Sequence, residues 1–205
     1  MMCAKPWKPS VFLKLTNMYK IALTGGIGTG KTYLSKHFIQ MGIPVFYADD
    51  EAKKLYEDVR FQQKLMDLFG EPALITEGKV NIAVLSGLVF GNEDNLQKLN
   101  RLVHPAVMEQ FERWAEQQSA ASVMMESAIV YEGGLEGFFD KIIVVDAPLE
   151  LRIRRVLERN PHLSRAQILQ RMSHQLPQEE KCRRADLVIC TGETYEMSLK
   201  ILQEQ

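Results

Sequence analysis

A short glycine-rich stretch near the N-terminus has residue types and spacing suited to binding an anion. The segment T-G-G-I-G-T-G-K-T fits the pattern G-x-x-x-x-G-K-[ST] at Gly25, Gly30, Lys31 and Thr32. Glycines let the backbone approach a bulky anion, while turn amides and the positive end of a following helix attract phosphate oxygens. The lysine of this pattern bridges β- and γ-phosphates, and the hydroxyl binds Mg²⁺. We therefore predict a nucleoside-triphosphate site; a glycine-rich turn that binds nothing is the alternative.

A pair of carboxylates follows the second apolar run of the chain. The sequence V-F-Y-A-D-D places Asp49 and Asp50 just beyond that run. In an open α/β sheet, the carboxyl ends of the strands face the crevice where ligands bind. A carboxylate at that edge can accept a proton from an attacking hydroxyl or anchor Mg²⁺ through water. We assign this chemistry to Asp49; the alternative, that an aspartate only caps the next helix, is favoured for Asp50.

The segment 152–184 is strongly basic, with nine lysines and arginines against three glutamates. Arginine binds phosphate through bidentate contacts, and the spacing of Arg155 and Arg159 places both on one helix face. We predict that this segment is a lid whose arginines close over the triphosphate and stabilise the charge in transfer. A solvated helical face is the alternative for any single arginine. Nucleic-acid binding is disfavoured because aromatic residues do not interleave with the charges.

The apolar runs predict the elements that position these residues. Strands are expected at 20–24, 43–47, 122–127, 141–146 and 186–190. Helices are expected at 30–41, 49–69 with a break near 59–61, 81–90, 92–118 with an interruption at Pro105, 149–159, 164–174 and from Thr194 onward. Residues 71–78 are expected to form a loop. Continuous apolar strands that alternate with helices indicate a parallel sheet covered on both faces.

Composition excludes several classes of protein. The chain has 205 residues, 46% of them hydrophobic, and a net charge of −1, which fits an α/β domain and not a polybasic membrane binder. Its three cysteines lack C-x-x-C spacing, which disfavours a disulfide framework or zinc site and suits a reducing compartment. No apolar run approaches the roughly 20 residues of a membrane helix. Residues 1–17 are predicted to be a disordered extension, or else a short strand or arm on the domain.

Five motifs in order make the chain from about Met18 onward similar to the dephospho-CoA kinase family. They are A-L-T-G-G-I-G-T-G-K-T, V-F-Y-A-D after the second strand, L-V-H-P-A-V in the middle helices, E-S-A-I-V-Y-E after the third strand, and R-M-S-H-Q-L-P-Q-E-E-K-C-R-R-A-D-L-V-I near the C-terminus. The last motif includes Arg171, Gln175, Lys181 and Asp186. The order and spacing of all five are typical of the family, whereas the glycine-rich motif alone is not.

This resemblance implies transfer of the γ-phosphate of ATP to the 3′-hydroxyl of dephospho-CoA, the last step of coenzyme A biosynthesis. The implied fold is the P-loop nucleoside-triphosphate hydrolase fold, an α/β architecture with a five-stranded parallel sheet and helices on both faces. Its core is expected at about 18–50, 120–150 and 185–205, a helical CoA-binding region at about 51–119, and the lid at about 152–184.

The resemblance also implies roles for individual residues. Asp49, Lys31 and Arg155 are expected to be catalytic, Asp49 as the base and Arg155 as the lid arginine. Asp49, His104 and Glu132 are expected to bind the acceptor, although by spacing alone a single histidine is more often structural. Thr32 is expected to hold Mg²⁺. The residues expected to bind ATP are Gly26, Ile27, Gly28, Thr29, Gly30, Lys31, Thr32 and Tyr33.

The sequence departs from the family pattern in three places. Tyr47 replaces the first aspartate of the family's D-A-D, so two carboxylates are not available there. Ala128 stands where the family usually has proline, while Glu132 keeps the acid of the same stretch. Cys190, Thr191 and Gly192 replace a turn that usually contains asparagine, which leaves the adenine contacts open.

Two other functions remain open from the sequence. One is a different small-molecule kinase with the same core, which would phosphorylate a nucleotide or a sugar. The other is a nucleotide-binding regulatory protein without transfer activity. The expected partners are ATP and dephospho-CoA, with no nucleic acid and no membrane, for a cytoplasmic monomer or small homo-oligomer.

Overall fold

A computed structural model describes residues 18–70 and 74–192 of the chain. The predicted extension at 1–17 and the predicted helix from Thr194 lie outside the described residues. Within the described ranges, the strands are β1 (Tyr19–Thr24), β2 (Val45–Tyr47), β3 (Ile75–Thr76), β4 (Lys79–Val80), β5 (Ser122–Glu126), β6 (Lys141–Asp146) and β7 (Leu187–Cys190). The helices are α1 (Lys31–Gln40), α2 (Ala48–Leu55), α3 (Val59–Phe69), α4 (Ile82–Val89), α5 (Glu93–Glu116), α6 (Leu149–Arg159), α7 (Arg165–Ser173) and α8 (Gln178–Arg184).

Five of these strands form one sheet in the order β2-β5-β1-β6-β7, which confirms the predicted α/β fold with a five-stranded parallel sheet. β1 is the middle strand and pairs in parallel with β5 on one side and β6 on the other. Parallel pairing places the carboxyl ends of β1, β5, β6 and β7 at one edge. The glycine-rich loop follows β1 at that edge.

Apolar side chains from the strands and from α1 form the core under this edge. Leu23, Met124 and Val145 are fully buried on three neighbouring strands, and Leu34 and Phe38 of α1 pack against them. The spacing of Leu34 and Phe38 puts both on one face of the helix. This packing fixes the start of α1 relative to the end of β1, and so fixes the two ends of the loop between them.

The chain divides into two compact units, Met1–Phe46 with Gln118–Gln205, and Tyr47–Gln117. The first contains β1, β5, β6 and β7 together with α1 and α6 to α8. The second contains helices α2 to α5 and the antiparallel β3–β4 pair. Within this second unit α5 is the longest helix, with Leu99, Val107 and Phe111 buried along it.

The structure corrects the predicted interruption of a helix at Pro105. Helix α5 runs without a break from Glu93 to Glu116 with Pro105 inside it. A proline in a helix interior costs about 3 kcal/mol because it lacks an amide hydrogen and crowds the preceding turn. Buried apolar residues on both sides of Pro105 keep the helix continuous because their packing outweighs that cost. They are Leu99, Val107, Met108, Phe111 and Ala115.

Two other elements differ from the prediction. The predicted loop at 71–78 contains β3, which pairs with β4 through a turn where Glu77 and Gly78 both have positive φ, at 53° and 74°. Positive φ at both central residues is the conformation that joins two-residue hairpins. Helix α8 was not predicted, because its seven residues are mostly charged and lack a helical apolar pattern.

Candidate functional site

The loop between β1 and α1 depends on left-handed backbone conformations at glycine. Gly25, Gly28 and Gly30 have φ values of 147°, 80° and 96°. Residues with a side chain adopt this region only at a cost of about 1–2 kcal/mol each. Gly30 is the N-cap residue of α1, so Lys31 and Thr32 are the first two residues of the helix. Their side chains therefore start at the positive end of the helix dipole.

Protein atoms also require glycine at the start of this loop. A Cβ atom added at Gly25 would overlap the carbonyl oxygen of Val145, and one added at Gly26 would overlap the guanidinium of Arg152. At Gly28 it would lie 2.5 Å from the carbonyl oxygen of Arg152. The sequence analysis attributed these glycines to the close approach of an anion. In the structure, the space beside these three is filled by β6 and α6.

The two polar residues that begin α1 have partners in the same region. Lys31 Nζ donates hydrogen bonds to the carbonyl oxygens of Gly25 and Gly26, at 2.8 and 3.3 Å. Thr32 Oγ1 donates to Glu126 Oε2 at 3.1 Å. The ammonium therefore lies over the loop, and the hydroxyl lies beside a carboxylate.

Sequence reasoning gave no role to Glu126, which the structure brings to the loop. Glu126 ends β5 and is 8% exposed, and it pairs in register with Leu23, two residues before the loop begins. The signal that could have found it is the apolar run S-V-M-M-E, a strand that ends in an acid. Such a strand beside β1 brings its carboxylate to the hydroxyl that follows the lysine.

The predicted lid arginine contacts the backbone of the loop. Arg155 Nη1 lies 3.4 and 3.3 Å from the carbonyl oxygens of Gly28 and Thr29. It also donates to Thr191 Oγ1 at 2.9 Å, and Nη2 donates to the Thr191 carbonyl at 3.0 Å. Thr191 is buried, so the position of this arginine is set by the turn after β7.

A pocket of about 320 Å³ opens beside Arg155. It is lined by Leu151, Arg154, Arg155, Glu158 and Gly192. Because Arg155 also contacts the glycine-rich loop, the pocket lies next to the loop. The turn after β7, whose adenine contacts the sequence analysis left undecided, contributes Gly192 to this pocket.

Glu132, a predicted acceptor-binding residue, is engaged by α8 and the turn before it. Its Oε1 atom lies 2.7 Å from Lys181 Nζ and accepts a hydrogen bond from the amide of Leu176 at 2.9 Å. Lys181 is fully buried and also donates to the carbonyl of Ala128 at 2.8 Å. These contacts place Glu132 in an ion pair that joins the loop after β5 to α8. Its part in acceptor binding stays a prediction.

Asp49 and His104 belong to the second compact unit. Asp49 is exposed in the first turn of α2, directly after β2, and the N-cap position is Tyr47, so neither aspartate is the N-cap residue. Asp50 forms an ion pair with Lys53 at 2.7 Å on the helix surface. His104 is half-buried in α5. Their predicted roles as base and acceptor contact remain predictions.

The other predicted ATP-binding residues lie in the same loop or in the first turn of α1. Thr29 is buried and its hydroxyl donates to the carbonyl of Gly26 at 2.9 Å. Ile27 packs against an apolar cluster that includes Ile153 of α6. Tyr33 is 56% exposed. Two glutamines to which the sequence analysis gave no role, Gln175 and Gln178, also contact the loop.

No helix in the part of the chain that the structure describes is long and apolar enough to cross a membrane. Among residues 18–70 and 74–192, no group of three or more histidine, cysteine or acidic side chains could hold a metal ion by itself.

The chain matches known sequences over most of its length. Residues 19–196 match a family model described as dephospho-CoA kinase. A dephospho-CoA kinase from Bacteroides fragilis is 40% identical over 172 residues, which are 83% of both chains. The dephospho-CoA kinase of Deinococcus radiodurans is 37% identical over 177 residues, 85% of this chain and 84% of that one.

The chain also resembles solved structures over most of its length. The Thermus thermophilus protein TT1252 is 32% identical with a TM-score of 0.81, over 92% of this chain and 96% of that chain. A dephospho-CoA kinase from Campylobacter jejuni is 25% identical with a TM-score of 0.62, over 90% of this chain and 96% of that chain. A shikimate kinase from Acinetobacter baumannii, at 17% identity and a TM-score of 0.54 over 91% of this chain and 92% of that chain, shares the fold alone.

Proposed function

Because this chain belongs to the dephospho-CoA kinase family, it transfers the γ-phosphate of ATP to the 3′-hydroxyl of dephospho-CoA, and we propose the residue roles by which it does so. The observation that supports these roles most directly is the meeting of three groups at the carboxyl edge of the sheet. They are the glycine-rich loop, the Lys31 ammonium above it, and the contact between Thr32 and Glu126.

The loop and the start of α1 bind the triphosphate in this proposal. Lys31 Nζ donates to two neutral carbonyl acceptors in the structure. Phosphate oxygens are stronger acceptors for an ammonium because the hydrogen bonds are charge-assisted. Lys31 therefore turns from the carbonyls of Gly25 and Gly26 to the β- and γ-phosphates when ATP binds. Charge that develops during transfer is stabilised there by groups already in place.

The residues beside Lys31 fit a magnesium ion. Mg²⁺ prefers oxygen ligands and is usually held by one or two protein oxygens together with substrate phosphates and water. Thr32 Oγ1 and Glu126 Oε2 are such oxygens, 3.1 Å apart. We propose that Thr32 and Glu126 would hold Mg²⁺ together with ATP, and the ion would supply positive charge that neutralises the phosphates. The sequence analysis included Glu126 in the motif E-S-A-I-V-Y-E but gave it no role in metal binding.

The acceptor side of the reaction is assigned to Asp49. Its exposed carboxylate follows β2, a strand of the same sheet as β1. In the proposal, Asp49 accepts the proton of the ribose 3′-hydroxyl as that oxygen attacks the γ-phosphorus. His104 and Glu132 contact dephospho-CoA, Glu132 through the oxygen that its ion pair with Lys181 leaves available.

Arg155 and the neighbouring pocket are assigned to ATP. The pocket has an apolar wall at Leu151 and lies next to the loop, which suits the adenosine part of a nucleotide whose phosphates are on the loop. Arg155 stabilises the transferred charge, a role worth roughly 10³–10⁵ in rate for an arginine of this kind. We also propose a cytoplasmic location, which the family's use of ATP supports.

An ADP-release assay with a panel of acceptors tests the function. Purified protein with ATP and Mg²⁺ should release ADP when dephospho-CoA is present, and AMP, adenosine and shikimate should be poor substitutes. Equal rates with AMP would assign the chain to another class of small-molecule kinase. No stimulation by any acceptor would favour a nucleotide-binding regulatory protein. A K31M variant is the control, because loss of the ammonium should abolish release in each case.

A further inference from the structure

The glycine-rich loop has two halves that differ in how the protein binds their backbone amides. In residues 25–27, the front half, protein side chains bind two of the amides and all three carbonyl oxygens. The amide of Gly26 donates to Gln178 Oε1 at 2.9 Å, and the amide of Ile27 donates to Gln175 Oε1 at 2.9 Å. Arg152 Nε donates to the carbonyl of Ile27 at 2.9 Å. Residues 28–32, the back half, end in the first turn of α1.

Gln178 is itself held in place by a second element. Its Nε2 atom donates to the carbonyl of Val145 at 3.0 Å, next to the carboxyl end of β6. One amide group therefore joins Gly26 to β6, since its oxygen accepts from the loop while its nitrogen donates to the strand. A glutamine satisfies both partners at once because its side chain has one acceptor and one donor group.

The segment that contains both glutamines is anchored at two points, at Leu176 between them and at Lys181 beyond them. The amide of Leu176 donates to Glu132, and Lys181 of α8 forms its buried ion pair with the same carboxylate. Residues 175–181 are therefore tied to the loop after β5 as well as to the glycine-rich loop. The side chains of Gln175 and Gln178 have little freedom to move away from the front half of the loop.

Space beside the front half is also filled. A Cβ atom at Gly26 would overlap the Arg152 guanidinium and lie 3.0 Å from Gln178 Oε1. A phosphate group is larger than a methyl group, so it could reach the Gly26 amide only if both side chains moved. The amides of Gly26 and Ile27 are therefore held by the protein, and phosphate binding is left to the back half.

We propose that Gln175 and Gln178 are positioning residues that hold the front half of the glycine-rich loop in its ATP-binding conformation before nucleotide arrives. This inference rests on the proposed function, because it requires that the loop bind ATP. A preorganised loop avoids the entropic cost of ordering flexible glycines when the ligand binds. In the opposite arrangement, the two glutamine oxygens would occupy phosphate positions and would be displaced by ATP.

Amide hydrogen exchange in the wild-type chain separates these two arrangements. We expect the Gly26 and Ile27 amides to exchange slowly without nucleotide, and their rates to change by less than about twofold when Mg-ADP is added. The amides of Gly28, Gly30, Lys31 and Thr32 should become protected on the same addition. Fast exchange of Gly26 and Ile27 without nucleotide, or a large change on adding Mg-ADP, would overturn the proposal.

Methionine substitutions give the kinetic test. Q175M and Q178M remove the acceptor oxygen at similar size, and Q170M on the exposed surface of α7 is the matched control. An unsatisfied loop amide should raise the KM for ATP roughly tenfold in Q175M and Q178M. The KM for dephospho-CoA should stay within about twofold, and Q170M should match wild type in both constants.

Hydrogen exchange of the loop amides in the same variants tests whether the change in KM arises in the loop. The Ile27 amide should exchange about ten times faster in Q175M than in Q170M, both without nucleotide. Unchanged exchange in Q175M, or an equal rise in the KM values of both substrates, would refute the positioning role. If wild-type protein released no ADP with dephospho-CoA, the proposed function would fail, and the exchange rates would still decide whether the glutamines hold the loop.

Discussion

The buried ion pair between Lys181 and Glu132 should respond unequally to removal of its two charges. Lys181 is fully buried, whereas the Glu132 side chain is 21% exposed. E132Q keeps an oxygen for the Leu176 amide but leaves a buried ammonium without a counter-charge. K181M leaves a carboxylate that water still reaches. We therefore expect E132Q to be the more destabilising change.

The magnitudes follow from these exposures. Breaking a buried pair by removing one partner costs about 3–5 kcal/mol, and we place E132Q at about 4 kcal/mol because Lys181 has no access to water. In K181M, water screens the charge that remains on Glu132, so loss of the ion pair costs only about 1 kcal/mol. Loss of the hydrogen bond to Ala128 adds about 1 kcal/mol, so we expect a total loss of stability of about 2 kcal/mol. The double variant is neutral and similar in size, so it should lose no more than about 2 kcal/mol.

Equilibrium unfolding in urea, followed by circular dichroism, measures all three variants against wild type. The double variant should be more stable than E132Q alone, with a coupling energy between the two positions of at least about 4 kcal/mol. The opposite order of stability, in which K181M is less stable than E132Q, would contradict the reasoning from burial. Additive losses would show that the two side chains do not interact in solution.

Three further predictions concern the site and the cysteines. E126Q should lower kcat roughly 10²-fold and raise the Mg²⁺ concentration needed for half-maximal rate, because it removes a charged oxygen beside Thr32; an unchanged Mg²⁺ titration would exclude Glu126 from the metal site. D49N should lower kcat roughly 10²–10⁴-fold with little change in the KM for ATP, the usual loss for a general base, while D50N should behave like wild type; equal effects of the two would remove Asp49 from the mechanism. Burial raises the pKa of the Cys182 thiol to about 11, because the thiolate is poorly solvated there. Since the thiolate is the reactive form, iodoacetamide at pH 8 should label the exposed Cys190 at least about tenfold faster than Cys182, as read by peptide mass spectrometry; equal labelling rates would contradict the burial of Cys182.

Much of the fold was predictable because it depends on local patterns. The bounds of β6 and α6 were predicted to the residue, and β1, α1 and β5 to within one residue at each end. Their apolar runs are long and end at glycine, proline or charged residues. The hairpin turn at Glu77 and the continuity of α5 through Pro105 were missed. In both, backbone conformation and packing outweigh the usual preference of a single residue type.

The sequence by itself determined where the glycine-rich loop lies, since glycine, lysine and threonine at fixed spacing between a strand and a helix act within one short segment. It did not show that Glu126 meets Thr32, because 94 residues separate them. Nor did it show that Gln178 binds Gly26 across 152 residues. Only the tertiary structure decided these partners, because parallel strand order brings distant carboxyl ends to one edge, and no local pattern encodes which side chains then meet.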